Sequence, residues 1–99
     1  MPFIDISTAP PTDGTWSGAL PMWRDRSFNI SVRGTFVGTV TLQRCNYDAD
    51  STVNTNWFDV STYTTPIEEN GYTGGKAYYR IGIKNGAYTS GTATVGVSI

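Results

Sequence analysis

Histidine is absent from this 99-residue sequence, cysteine occurs once, and charged residues make up only 15%. Each shortage excludes a class of chemistry. Without histidine, neither a Ser-His-Asp nor a Cys-His arrangement can form, and the commonest general base near neutral pH is missing. A single cysteine, Cys45, cannot close an intramolecular disulfide, and it is too few for a zinc site built on thiolates and imidazoles. Cys45 ends an apolar run and reads as a buried thiol. Seven basic residues against eight acidic ones give a net charge of −1, so no basic stripe is available to hold a phosphate backbone. No apolar run is long enough to span a bilayer as a helix. The start, Met1-Pro2-Phe3-Ile4-Asp5, lacks the basic segment and apolar stretch of a signal peptide. The expectation is a single domain made in a cytosol, with no cofactor, no metal, no nucleic acid and no membrane partner.

What is present points to strands and turns. Glycine and proline account for 11 and 5 residues, and the hydrophobic fraction of 38% is enough for one core. From Ser27 onward, apolar residues recur with period two. Phe28, Ile30 and Val32 alternate with polar neighbours. So do Phe36, Val40 and Leu42; Phe58 and Val60; Tyr79, Ile81 and Ile83; and Ala93, Val95, Val97 and Ile99. Successive strand side chains point to opposite faces, so each run is expected to have one buried and one wet face. Turn signals separate the runs at Arg33-Gly34-Thr35, Glu69-Asn70-Gly71, Gly74-Gly75 and Lys84-Asn85-Gly86. Two segments read as loops, Asn46 to Asn56 and Pro66 to Lys76. The spacing predicts about six or seven short strands in a single antiparallel β-sandwich, immunoglobulin-like or fibronectin-III-like. A jelly roll or partly closed barrel is the alternative.

The first 26 residues differ. They hold Pro2, Pro10, Pro11 and Pro21, which rule out a regular central strand or a long helix. Residues 1–26 therefore read as an extended arm, with an edge strand at Phe3 to Ser7, and residues 27–99 as the sandwich. The arm carries Phe3, Ile4, Pro10, Pro11, Trp16, Met22 and Trp23. These large apolar groups need burial, on the chain's own sandwich or on a partner, and they are the candidate partner-binding residues.

Other constellations are weaker. Asp48 and Asp50, and the adjacent Glu68 and Glu69, are the only carboxylate pairs that could do acid–base work. Glycoside hydrolysis needs two such groups facing across a cleft, and the pairs read as solvated loop residues. The stretch from Asn46 to Ser51 resembles the start of a calcium loop. Counted from Asp48, however, Val53 stands where an EF-hand needs glycine and Asp59 where it needs glutamate. Tyr47, Trp57, Tyr63, Tyr72, Tyr78 and Tyr88 could form a sugar-binding platform or pack on the sheet.

From Gly34 onward the chain resembles small β-sandwich virion proteins of tailed bacteriophages. The stretches that carry the resemblance are Gly34-Thr35-Phe36-Val37-Gly38-Thr39-Val40-Thr41-Leu42-Gln43-Arg44, Trp57-Phe58-Asp59-Val60, Tyr78-Tyr79-Arg80-Ile81-Gly82 and Tyr88-Thr89-Ser90-Gly91-Thr92. The family's glycine pair after the Leu-Gln-Arg strand is replaced here by Cys45-Asn46-Tyr47-Asp48-Ala49-Asp50. The resemblance implies a structural protein of the virion. The expected role is a capsid decoration (cement) protein bound to the major capsid protein, with a head–tail or tail component or a carbohydrate-binding module as alternatives. It also implies a homo-oligomer, for which a trimer is the expectation, located on the capsid surface.

Overall fold

The computed structural model describes residues 3–99; Met1 and Pro2, the first residues of the predicted arm, lie outside the described residues. The described residues are all-β apart from one short 3-10 turn at Asn54–Asn56. Its strands are β1 (Phe3–Ile6), β2 (Thr15–Trp16), β3 (Leu20–Met22), β4 (Arg26–Asn46), β5 (Trp57–Tyr63), β6 (Ile67–Thr73) and β7 (Ala77–Ser98). All pairings are antiparallel and belong to one seven-stranded sheet.

The two long strands, β4 and β7, pair with each other from Asn29↔Ser98 to Asn46↔Ala77. A straight strand of 21 residues would run to roughly 70 Å at about 3.3 Å per residue. The longest dimension of the molecule is 36 Å, so the β4–β7 ribbon must fold back on itself. The two halves of the ribbon then become the two layers of a sandwich. One layer joins the start of β4, the end of β7, β6 and β1; the other joins the end of β4, the start of β7, β5, β2 and β3. Contact across the layers is seen between Phe28 and Tyr79, whose ring centroids are 4.5 Å apart. Between the layers lie Ile30, Val32, Val40, Leu42, Ile81, Ile83, Val95 and Val97, all buried. They come from the alternating runs of β4 and β7, whose inward faces bury together.

The bend explains where sequence signals and structure part. Arg33-Gly34-Thr35 and Lys84-Asn85-Gly86 do not reverse the chain; both lie inside the long strands. At the second of these, β7 has four residues between Ile83 and Tyr88 where β4 has one between Gly38 and Val40. That surplus is a bulge, and bulges bend and twist a ladder. Gly34, at φ +96°, adopts a conformation that side chains with a Cβ rarely tolerate, yet its pairing with Ala93 continues that of its neighbours, so the glycine sits within the ladder and not in a hairpin. The expected loop from Pro66 to Lys76 is corrected as well. Its residues Ile67–Thr73 form β6, paired with β4 from Arg26↔Thr73 to Val32↔Ile67. Asn70-Gly71 sits within this strand because the Phe28 ring lies against Gly71, where a Cβ would collide with it.

Of the predicted arm, the described residues form three short strands, β1 falling within the expected edge strand Phe3 to Ser7. Its three strands line the outer edge of β7 in order: β1 beside residues 93–96, β2 beside 82–83 and β3 beside 77–79. Ile6 and Met22 are fully buried in the core. The arm is thus part of the sandwich's own packing, fastened by its apolar side chains and by Ser17, whose amide donates to Ile81 O at 2.8 Å.

Candidate functional site

Two surface features carry aromatic side chains held in fixed positions. The first is built on the outer face of the second layer. Gln43 of β4 lies beside Asp59 of β5 on one flank and Arg80 of β7 on the other. Alternation turns these side chains away from the core, since Leu42, Tyr79 and Ile81 point into it. Arg80 is clamped between two indoles, its guanidinium carbon 4.3 Å from the Trp16 ring centroid and 4.3 Å from that of Trp57. Its Nε donates to Gln43 Oε1 at 2.9 Å and its Nη2 to Asn54 Oδ1 at 2.7 Å. Gln43 Nε2 in turn donates to Asp59 Oδ1 at 2.9 Å, and Asp59 Oδ2 is paired with Lys84. The result is one continuous chain of polar contacts, Lys84–Asp59–Gln43–Arg80–Asn54.

Electrostatics follow from this network. The bonds from Lys84 and Gln43 hold the Asp59 carboxyl below its usual range. Burial between the indoles pulls the Arg80 guanidinium down to about 10, which leaves it cationic at neutral pH. The indole N–H groups are engaged: Trp16 donates to Asp13 O at 2.6 Å and Trp57 to Ser51 O at 2.9 Å. Beside the network opens a cleft of about 590 Å³, lined among others by Thr12, Trp16, Asn54, Phe58, Asp59 and Asn85.

The second feature lies where β3 passes into β4. Trp23 meets Tyr47 edge-on at 5.2 Å between centroids, and Tyr47 stacks on Tyr78 at 5.2 Å with an interplanar angle of 12°. Lys76 Nζ sits 5.6 Å from the Tyr47 ring centroid, within cation–π range. Trp23 remains 61% exposed.

The residues expected to bind a partner are strung along the edge of β7 and do not form one patch. Phe3 and Ile4 are half-buried, with the Arg33 guanidinium 5.1 Å from the Phe3 ring centroid. Pro10 is buried and its carbonyl accepts from Asn85 Nδ2 at 3.0 Å; Pro11 is exposed. Trp16 belongs to the clamp. Met22, at 0% exposure, is committed to the core and has no surface to offer. Of the seven, Trp23 is the large aromatic that stands free of the sandwich.

The other sequence candidates separate cleanly. Trp57 is buried at 6% exposure beneath Arg80, while its neighbours Phe58 and Val60 are 70% and 49% exposed. The expectation of one buried face per run therefore fails on β5, an edge strand in which Trp57 is buried, Tyr63 half-buried and the residues between them exposed. Glu68 and Glu69 are successive residues of β6 and point to opposite faces. Ser31 and Arg33 bond Glu68 and hold its carboxyl low, whereas Tyr63 donates to Glu69 at 2.9 Å. Burial and that carboxylate push the Tyr63 phenol up to about 12. Asp50 accepts from the Thr52 amide at 2.9 Å and its hydroxyl at 2.6 Å, which is how it shapes its own loop. Among the described residues, no three Cys, Asp or Glu side chains converge in a way that could hold a metal.

Sequence reasoning missed Arg80, Gln43, Asn54 and Lys84. The only trace was the place of Arg80 and Gln43 at outward positions of strongly alternating runs. Comparison with family models, with curated proteins and with solved structures returned no match.

Proposed function

We propose that this chain is an assembly protein that docks on a protein surface, and specifically a capsid decoration protein of a tailed bacteriophage. In this reading it sits on the major capsid protein shell as a trimer, stabilises the shell and performs no catalysis. The resemblance of residues 28–99 to small virion sandwiches supports the phage assignment. The observation that carries the docking role is Trp23, 61% exposed yet held by the Tyr47–Tyr78 stack. An indole fixed by its neighbours loses little conformational freedom on binding, and such anchors dominate interface energetics. Lys76 beside the stack offers a charge at the rim of the same patch.

The test is co-sedimentation with shells assembled from the major capsid protein of the phage that encodes this chain. The wild-type protein is expected to pellet with the shells, and Trp23→Ser to lose at least about tenfold in affinity with an unchanged melting temperature. Equal binding of wild type and Trp23→Ser would overturn the docking role of this patch. Absence of wild-type binding would overturn the decoration reading.

A further inference from the structure

Two of the chain's asparagines, Asn70 and Asn85, precede glycine. Such a step is chemically labile. The glycine amide nitrogen can attack the asparagine side-chain carbonyl, and glycine, with no side chain, leaves that nitrogen uncrowded. The other asparagines are followed by Ile30, Tyr47, Thr55 and Trp57, whose side chains crowd it. We infer that Asn85 is a site of spontaneous deamidation, and that its conversion unfastens the arm between β1 and β2.

The fold treats the two steps differently. Ring closure requires the asparagine backbone to rotate, because an extended strand holds the next nitrogen away from the side-chain carbonyl. Asn70 lies in β6, in the pairing Asn29↔Asn70, and Gly71 follows in the pairing Phe28↔Gly71. Rotation there breaks the β4–β6 ladder and meets the Phe28 ring, which lies against Gly71. Asn85 and Gly86 lie instead in the bulge of β7. Among the described residues, Lys84 to Ala87 have no register partner on β4, and the pairing with β2 stops at Ile83. Asn85 and Gly86 are both exposed. Gly86 has φ +85°, and nothing lies within 4 Å of the place a Cβ would take, so water and base reach its backbone. Exposed backbone outside a ladder is the part of a fold that opens most readily. The Asn85 side chain is held by the bond from its Nδ2 to Pro10 O at 3.0 Å.

The reaction needs only base and water. The Gly86 nitrogen bonds to Asn85 Cγ as its proton passes to solvent. The side-chain nitrogen takes up a proton and leaves as ammonia, which closes a five-membered succinimide. Water then adds to one of the two ring carbonyls and breaks its bond to the ring nitrogen. Opening at the backbone carbonyl carbon gives isoaspartate, whose main chain runs through Cβ and Cγ. Opening at Cγ gives aspartate. Nothing is oxidised or reduced.

Either product replaces an amide donor with a carboxylate, which can only accept. Pro10 O then faces a second acceptor, and the bond between bulge and arm is lost. That bond sits midway in the crossing from β1 to β2. On one side of it Tyr88 Oη donates to Ser7 O at 2.9 Å, and on the other Gly14 N donates to Pro11 O at 2.8 Å. Isoaspartate also adds a backbone atom to the bulge. The change is one-way, so the segment from Ser7 to Gly14 loosens as the protein ages.

The experiment incubates the full chain at mildly alkaline pH, in buffer and in urea. Samples are digested at acid pH and mapped by mass spectrometry for the amide-to-acid change at each asparagine. In buffer Asn85 is expected to convert about tenfold or more faster than Asn70, and in urea the two rates should converge. Asn85→Gln, whose ring closure is far slower, should stay unmodified at that position. Hydrogen exchange reads the consequence. Exchange across residues 7–14 should rise about fivefold, the worth of one hydrogen bond, in the aged protein and in Asn85→Asp alike. The inference is overturned if Asn85 converts no faster than Asn70 in the folded chain, or if residues 7–14 exchange in the aged protein and in Asn85→Asp as they do in the fresh wild type.

Discussion

Gly82→Ala should loosen the arm, the indole clamp and the core together. Gly82 lies on β7 opposite Trp16, in the pairing Trp16↔Gly82. A Cβ there would overlap the carbonyl oxygen of Thr15 and come within 2.8 Å of Trp16 Cα. Ordinary carbon contacts begin near ~3.5 Å, so β2 would have to retreat by about 1 Å or more. Both obstacles are backbone, so no rotamer change relieves them. Overpacking of this kind costs roughly 1–3 kcal/mol. The retreat also strains the bonds from Ser17 N to Ile81 O at 2.8 Å and from Ile81 N to Ser17 Oγ at 3.1 Å. Each such bond contributes about 1 kcal/mol. The expected destabilisation is therefore about 2–4 kcal/mol, or a fall in Tm on the order of 10–20 °C for a domain of this size. Thermal unfolding followed by near-ultraviolet circular dichroism measures both consequences, since the Trp16 and Trp57 rings would lose their fixed relation to Arg80. A Tm within a couple of degrees of wild type, with an unchanged aromatic spectrum, would refute the reasoning that β2 is locked against Gly82.

Other expectations follow from the same packing. Deleting residues 1–20 removes Ile6 and strips β1 and β2 from β7, so the remainder should fail to fold cooperatively in a urea titration. Arg80→Leu leaves the acceptors of Gln43 and Asn54 without their donor and should cost about 1–3 kcal/mol in the same assay, with Arg80→Lys only partly restoring the loss. The carboxyls of Asp59 and Glu68 titrate lower in the folded chain than in the unfolded one. Their contribution to stability is thus complete above the ordinary carboxylate range and disappears as the pH falls through their folded values. Asp59→Asn combined with Glu68→Gln should flatten the acid limb of a stability–pH profile. Cys45 is fully buried and burial raises its thiol pKa, so labelling by iodoacetamide should proceed only at the rate of unfolding.

Much of the fold was legible because strands write their period directly into the residue order. The runs around Ile30, Leu42, Ile81 and Val95 bury the side chains that alternation selected. Less legible were the features that depend on what lies across the sheet. Arg33-Gly34-Thr35 has the composition of a turn and lies inside a continuous strand. Glu68 to Thr73 is polar enough to read as a loop and is an edge strand, because an edge buries little and needs only backbone partners. For the candidate site, Trp16 and Trp57 could be singled out as large aromatics. That both close on Arg80 could not, because Trp16 and Arg80 are 64 residues apart in the chain and Trp57 lies between them.

By itself the sequence determined that the fold is all-β and that histidine- and disulfide-based chemistry is excluded. Composition and local periodicity are properties of single residues and near neighbours, so they survive without a partner strand. Only the tertiary structure decided that β4 and β7 each cross both layers, that the arm folds onto β7, and that Phe58 is exposed while Trp57 is covered. Those outcomes depend on which strand lies beside which, and on how much apolar area each pairing hides from water.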